Sequence, residues 1–143
     1  LTLCMTRSEL TAQLVPELNL TWSERVEIVR EEVTDYIPAG ERIIVADDNN
    51  WGYDLFPGYD VSPFMERDGE YWGPPTDEQT GIDEVERLRL TSAHYIVIGW
   101  PAFWWLDYYS ALREYLQSKY PCVLSNSRLV IYDLREDLSK STS

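Results

Sequence analysis

ERIIVADDNN, residues 41–50, decides the fold of this chain. Its first half, Arg42-Ile43-Ile44-Val45-Ala46, is a β-branched run with no polar alternation. A strand that is apolar on both faces must be covered on both faces, so it reads as a buried strand of parallel type. Its second half, Asp47-Asp48-Asn49-Asn50, favours turns and helix caps. A parallel neighbour is expected further along, with helices between.

Upstream, Pro38 and Gly40 stop a helix near Tyr36. Val26, Val29 and Val33 recur at helical spacing, and Thr21-Trp22-Ser23-Glu24 reads as a capping box. Residues 1–20 form an extension or a short helix, with Leu10, Leu14 and Leu18 on one side and Pro16 interrupting.

Downstream, residues 51–75 hold four glycines and four prolines, which predicts a long irregular excursion. Seven aromatic rings in that segment argue against disorder, because they want burial. Thr76-Asp77-Glu78-Gln79 reads as a second capping box, followed by Ile82, Val85 and Leu88 on one helical face. Tyr95-Ile96-Val97-Ile98, closed by Gly99, is the second buried strand. A third helix follows, with Trp105, Tyr109, Leu112 and Leu116 sharing a face. Cys122-Val123-Leu124 and Arg128-Leu129-Val130-Ile131-Tyr132 flank Ser125-Asn126-Ser127 as a closing hairpin. Residues 136–143 are a polar tail, expected to fray.

Strands alternating with helices imply an α/β class. The expected architecture is one three-layer, Rossmann-like domain over residues 21–135. Its sheet is short and mostly parallel, with a C-terminal antiparallel hairpin.

At 143 residues and 44% hydrophobic, the chain has enough apolar material for one real core. Its net charge of −13 repels nucleic acid and anionic membrane surfaces, and no Lys/Arg cluster offsets it. No apolar run approaches the ~18–20 residues of a membrane span, so insertion is not expected. The start at Leu1 lacks the basic-then-apolar pattern of a signal peptide. Cys4 and Cys122 make neither a disulfide framework nor a zinc pattern. A reducing, cytoplasmic setting is expected from them, with Cys122 a buried, inert thiol. The single histidine, His94, excludes a multi-histidine metal site and precedes the second strand, at the opposite end of the sheet from strand C-termini. GxGxxG, GxxxxGK[ST] and GxSxG are all absent, which argues against a dinucleotide enzyme, a P-loop NTPase and an elbow-type hydrolase.

In open α/β sheets, ligands sit beyond the carboxyl ends of the parallel strands. The first strand delivers Asp47, Asp48, Asn49, Asn50 and Trp51 there; the second delivers Trp100, Pro101 and Phe103-Trp104-Trp105. Seven aromatic residues lie in 51–72 and seven more in 95–109, which locates the candidate site at this rim. Trp105 and Tyr109 share the inward face with Leu112 and read as core; Trp51, Trp72, Trp100 and Trp104 are the surface candidates. Indole offers an apolar face and a polar N–H, which suits a sugar ring whose C–H face stacks while its hydroxyls seek carboxylates and amides. Asp47, Asp48 and Asn49 would supply those acceptors. The plainer alternatives stay open: the rings pin a long loop, and the Asp pair caps a turn. The same pair of carboxylates also has the chemistry for a divalent cation or a general base, although it does not match a calcium loop.

Three stretches together resemble a known domain: IPAGERIIVADDNNWG, FPGYDVSPFMERDGEYWGPPTDE and IGWPAFWWLDYYSALREYLQSKYPCVLSNSRLVIYDL. The ERDG-YWGPP loop, the PAFWWLD-Y helix start and the hairpin ending in Asp133-Leu134 carry the likeness, over about residues 37–135. The domain is a small α/β unit of bacterial polypeptides, found beside family-2 glycosyltransferase modules and some methyltransferase or sulfotransferase modules. The resemblance implies work on glycans or cell-surface polysaccharide by association, and it transfers no catalytic residue or cofactor. Three functions follow as expectations. The first is an accessory domain binding carbohydrate or nucleotide-sugar at Asp47, Asp48, Asn49, Trp51, Trp72, Trp100 and Trp104. The second is an interaction module docking a neighbouring glycosyltransferase or a second copy. The third is a small Asp-dependent transferase or hydrolase.

Overall fold

The computed structural model describes residues 20–138, so the expected helix before Leu20 and the last five residues of the tail lie outside it. Helix α1 (Trp22–Tyr36) starts where its sequence signals say. Thr21 accepts from the Glu24 amide at 3.1 Å, and the Glu24 carboxylate accepts from the Thr21 amide at 2.8 Å. These bonds satisfy two N–H groups that a helix start leaves unpaired. Strand β1 (Arg42–Ala46) follows, then a short 3-10 turn (Tyr53–Leu55) and β2 (Asp60–Pro63). A hairpin of β3 (Glu66–Arg67) and β4 (Glu70–Tyr71) leads into α2 (Glu78–Leu90). Strand β5 (Tyr95–Gly99), α3 (Trp104–Tyr108), α4 (Ser110–Lys119), β6 (Cys122–Ser125) and β7 (Leu129–Asp133) complete the order.

Five strands form one sheet in the order β2-β1-β5-β7-β6. The fold is α/β with a mixed sheet: β1 pairs parallel with β2 and β5, whereas β7 pairs antiparallel with β5 and β6. The expectation of a mostly parallel sheet is thereby corrected. The closing hairpin is present, and its second strand, β7, lies inside the sheet beside β5.

The lack of alternation in β1 now has its cause. Ile43 and Val45, with Tyr95, Val97, Leu129 and Ile131, share a buried cluster with Val29 and Val33 of α1. Ile44 and Ala46, with Ile96, Ile98, Val130 and Tyr132, share the other cluster with residues of α2, α3 and α4. Each fully buried aliphatic side chain contributes about 1.5–3 kcal/mol of transfer free energy, so both clusters drive sheet formation.

Three local expectations need correcting. Residues 51–75 are not wholly irregular, since they hold β2 and the β3–β4 hairpin. The cap of α2 is Asp77, which accepts from the Thr80 amide at 2.8 Å, one residue later than the Thr76 reading. The third helix is broken at Tyr109, whose hydroxyl donates to the Pro75 carbonyl at 2.5 Å. Trp105, Tyr109, Leu112 and Leu116 are nevertheless all buried, as their spacing requires.

His94 sits at the amino-terminal end of β5 with Nδ1 2.5 Å from a Glu41 carboxylate oxygen. Cys122 is disulfide-bonded, not the free thiol expected of it. Cysteine usage therefore no longer argues for a reducing compartment. Among the described residues no helix is long and apolar enough to cross a membrane.

Candidate functional site

Because β1 and β5 are parallel neighbours, with Ala46 opposite Ile98, their carboxyl ends open on one rim. Asp47 closes the turn that leaves β1. It is 7% exposed, and its two carboxylate oxygens accept from the Asn49 and Trp51 amides, each at 2.9 Å. Burial raises the Asp47 pKa above the ordinary aspartate value, and the backbone N–H bonds only partly oppose that. Asp48 and Asn49 take left-handed backbone angles, φ 52° and 58°, which Asp and Asn tolerate better than most residues. The Asn50 amide group holds the Asp47 and Asp48 carbonyls. Asp47 is thus a turn-forming residue, nearly buried, with each carboxylate oxygen held by a backbone amide. Among the described residues no three His, Cys, Asp or Glu side chains converge to hold a metal ion.

Asp48 faces the other way. One of its oxygens accepts from Trp104 Nε1 at 3.1 Å and the other from the Tyr71 hydroxyl at 3.4 Å. The acidic turn and the indole-rich segment meet through this carboxylate. Trp104 is 40% exposed, and Tyr108 beside it is 69% exposed, with ring centroids 5.9 Å apart. Burial and the neighbouring Asp48 charge push Tyr71 up to about 12. Converting Asp48 to asparagine removes that charge, so the Tyr71 pKa should fall toward the ordinary tyrosine value of about 10. Alkaline ultraviolet titration of wild type and Asp48→Asn reads this, and an unchanged Tyr71 would break the assigned contact.

Trp51 and Trp100 belong to a separate array. Trp51 lies edge-on to Phe56 and to Trp100, and Trp100 lies edge-on to Trp22. The Arg25 guanidinium sits 4.1 Å above the Trp100 ring. The Trp51 indole N–H is buried and meets no acceptor among the described residues. Both rings are half-buried and pack against the core cluster that holds Val29 and Val33.

Trp72 is set apart from the others. It follows β4 and is 62% exposed, and its ring faces the Arg67 guanidinium at 4.5 Å. Tyr71 reaches Asp48, whereas the adjacent Trp72 meets Arg67 and lines a different hollow. Tyr71 and Tyr108 are the site residues that sequence reasoning did not single out. The Asp68-Gly69 dipeptide was the available signal for Tyr71, since it marks a two-residue hairpin turn. Both residues have positive φ here, 54° and 83°.

Comparison with models of protein families, with curated proteins and with solved structures finds no match.

Proposed function

We propose that this domain binds carbohydrate at the rim, as an accessory unit of glycan assembly. One observation carries the reading: a solvent-facing indole, Trp104, is locked at its edge by the Asp48 carboxylate and flanked by the open ring of Tyr108. A pyranose stacked on Trp104 would bring hydroxyls to Asp48, whose two accepted bonds leave lone pairs for more donors. Asn49, exposed beside it, offers a side-chain amide.

The charge pattern selects within this class. Among the described residues Asp48 has no Lys or Arg partner, so a pyrophosphate would meet an uncompensated carboxylate. The glycan itself is favoured over its nucleotide-activated donor. The reading also takes α1 on one sheet face and α2–α4 on the other as a reduced Rossmann-like frame that aims its parallel strands at the rim. Glycosyltransferase association rests on the resemblance of residues 37–135 alone.

Tryptophan fluorescence tests the binding. Neutral oligosaccharides should quench wild type saturably, with a dissociation constant of about 1 mM, as for one stacked ring with few hydrogen bonds. Trp104→Ala should weaken this at least about tenfold, a loss of ~1.4 kcal/mol, while Trp22→Ala retains it. Quenching by no sugar, with self-association on sedimentation, would replace this reading with a docking role for the same rings.

A further inference from the structure

The β3–β4 hairpin has a second face, away from the rim, and a hollow of about 310 Å³ opens there. Its lining includes Trp72, Asp68, Glu66, Glu84 and Arg87. Glu84 is 7% exposed, a charged side chain almost wholly buried. Its carboxylate accepts from Arg87 Nε at 2.9 Å, from Arg87 Nη2 at 3.0 Å and from the Glu66 amide at 2.8 Å. Arg87 Nη2 also reaches Glu66 Oε1 at 2.6 Å. The guanidinium is therefore held on two of its nitrogens, and among the described residues its Nη1 donates to nothing. Asp68, on the turn, likewise keeps a carboxylate with no hydrogen bond among the described residues. An exposed indole, a fixed donor and an open acceptor thus surround one space.

We propose that this hollow is a second sugar subsite, which takes one uncharged pyranose ring on Trp72 with hydroxyls on Arg87 and Asp68. Arg67 covers one face of the indole and leaves the ring 62% exposed, so the other face is open to stacking. Two guanidinium groups and three carboxylates border the space, and their charges nearly cancel, so a charged sugar gains little from them. The volume lies at the lower end of small-molecule pockets, which fits one ring and not a nucleotide-sugar. An adjoining hollow of about 260 Å³ along β2 shares Glu66 and Arg87, and it gives the next ring of a chain somewhere to lie. The inference rests on the carbohydrate class of the rim reading, and of the residues first expected at the rim it takes Trp72 alone, now placed in a hollow of its own.

Indole N–H signals in ¹⁵N-resolved NMR separate the two sites, because each tryptophan contributes one. The probes are the methyl glycosides of glucose, galactose, mannose and N-acetylglucosamine. The Trp72 signal should move saturably in the millimolar range with at least one of them, while that of the core residue Trp105 stays fixed. Asp68→Asn, which keeps the left-handed turn, should weaken the response about fivefold by replacing a charged acceptor with a neutral one. A Trp72 signal unmoved by all four glycosides overturns this subsite, whatever Trp104 does. A Trp104 signal unmoved while Trp72 titrates overturns the rim reading and leaves this one standing. Equal affinity of Asp68→Asn and wild type removes the polar half of the proposal and overturns it as stated.

Discussion

Gly99→Ala should lower stability by about 3 kcal/mol, the upper part of the range for forcing extra atoms into a packed site. Gly99 closes β5 with φ −84° and ψ 160°, angles any residue adopts, so conformational freedom is not the reason for glycine. Space is the reason. A Cβ placed there would lie 2.2 Å from Cη2, 2.6 Å from Cζ2 and 2.7 Å from Cζ3 of the Trp51 indole. Three ring atoms inside 3.0 Å leave no small adjustment, because the ring must leave as a unit. Leaving breaks its edge contacts with Phe56 and Trp100. The melting temperature should fall by roughly 6–12 °C for a domain of this size. In a Trp51→Ala background the same change should cost little, and that coupling separates a clash from a strand-propensity effect. Gly81→Ala provides the contrast. Its new Cβ meets only side-chain atoms of Leu112 and Pro75, at 3.2 Å or more, and alanine recovers about 1 kcal/mol of helix propensity. Its net effect should be near zero. Equal melting curves for Gly99→Ala and wild type would refute the packing of Trp51 against the end of β5.

Asp47→Ala is the second large effect, up to about 3 kcal/mol, because it leaves the Asn49 and Trp51 amides without their acceptor in a part-buried turn. The turn itself is at stake, since two consecutive left-handed residues follow Asp47. Asp47→Asn keeps one acceptor oxygen and should lose less. Its deficit should also depend on pH, with a sign fixed by the raised pKa of Asp47. An acid whose folded pKa exceeds its unfolded value binds more protons when folded. Stability therefore falls as pH rises from the unfolded value, about 3.9, through the folded one. Asparagine does not titrate, so the gap between wild type and Asp47→Asn should be widest at acid pH and narrow above that window. Urea midpoints measured across the window read it, and a gap that widens with pH would reverse the assigned direction.

How much of this the sequence disclosed follows from where each signal is local. The Thr21 cap, β1, β5 and the closing hairpin were legible because propensity and burial agree there. Strand β2 was not: Asp60-Val61-Ser62-Pro63 has two poor strand formers and pairs only with β1 at the sheet edge, where proline is tolerated. Its formation depends on a neighbour distant in sequence. The Asp68-Gly69 turn was legible in principle but was masked by the surrounding glycines and prolines. At the rim, residue types located Asp48 and Trp104 but could not separate Asp48 from Asp47. The two differ only in direction, one folded back onto amides and the other facing Trp104 and Tyr71. Trp51 and Trp100 looked like surface rings because no pattern encodes edge-on packing between residues 49 positions apart.

The back-to-back placement of Tyr71 and Trp72 has a thermodynamic corollary. A single peptide unit carries the exposed Trp72 ring on one side and, through Tyr71, the tether of the acidic turn on the other. Any occupant of one side that displaces this unit alters the affinity of the opposite side, and reciprocity makes the factor identical in both directions. Two glycan segments held this way would be read jointly, as a composite epitope.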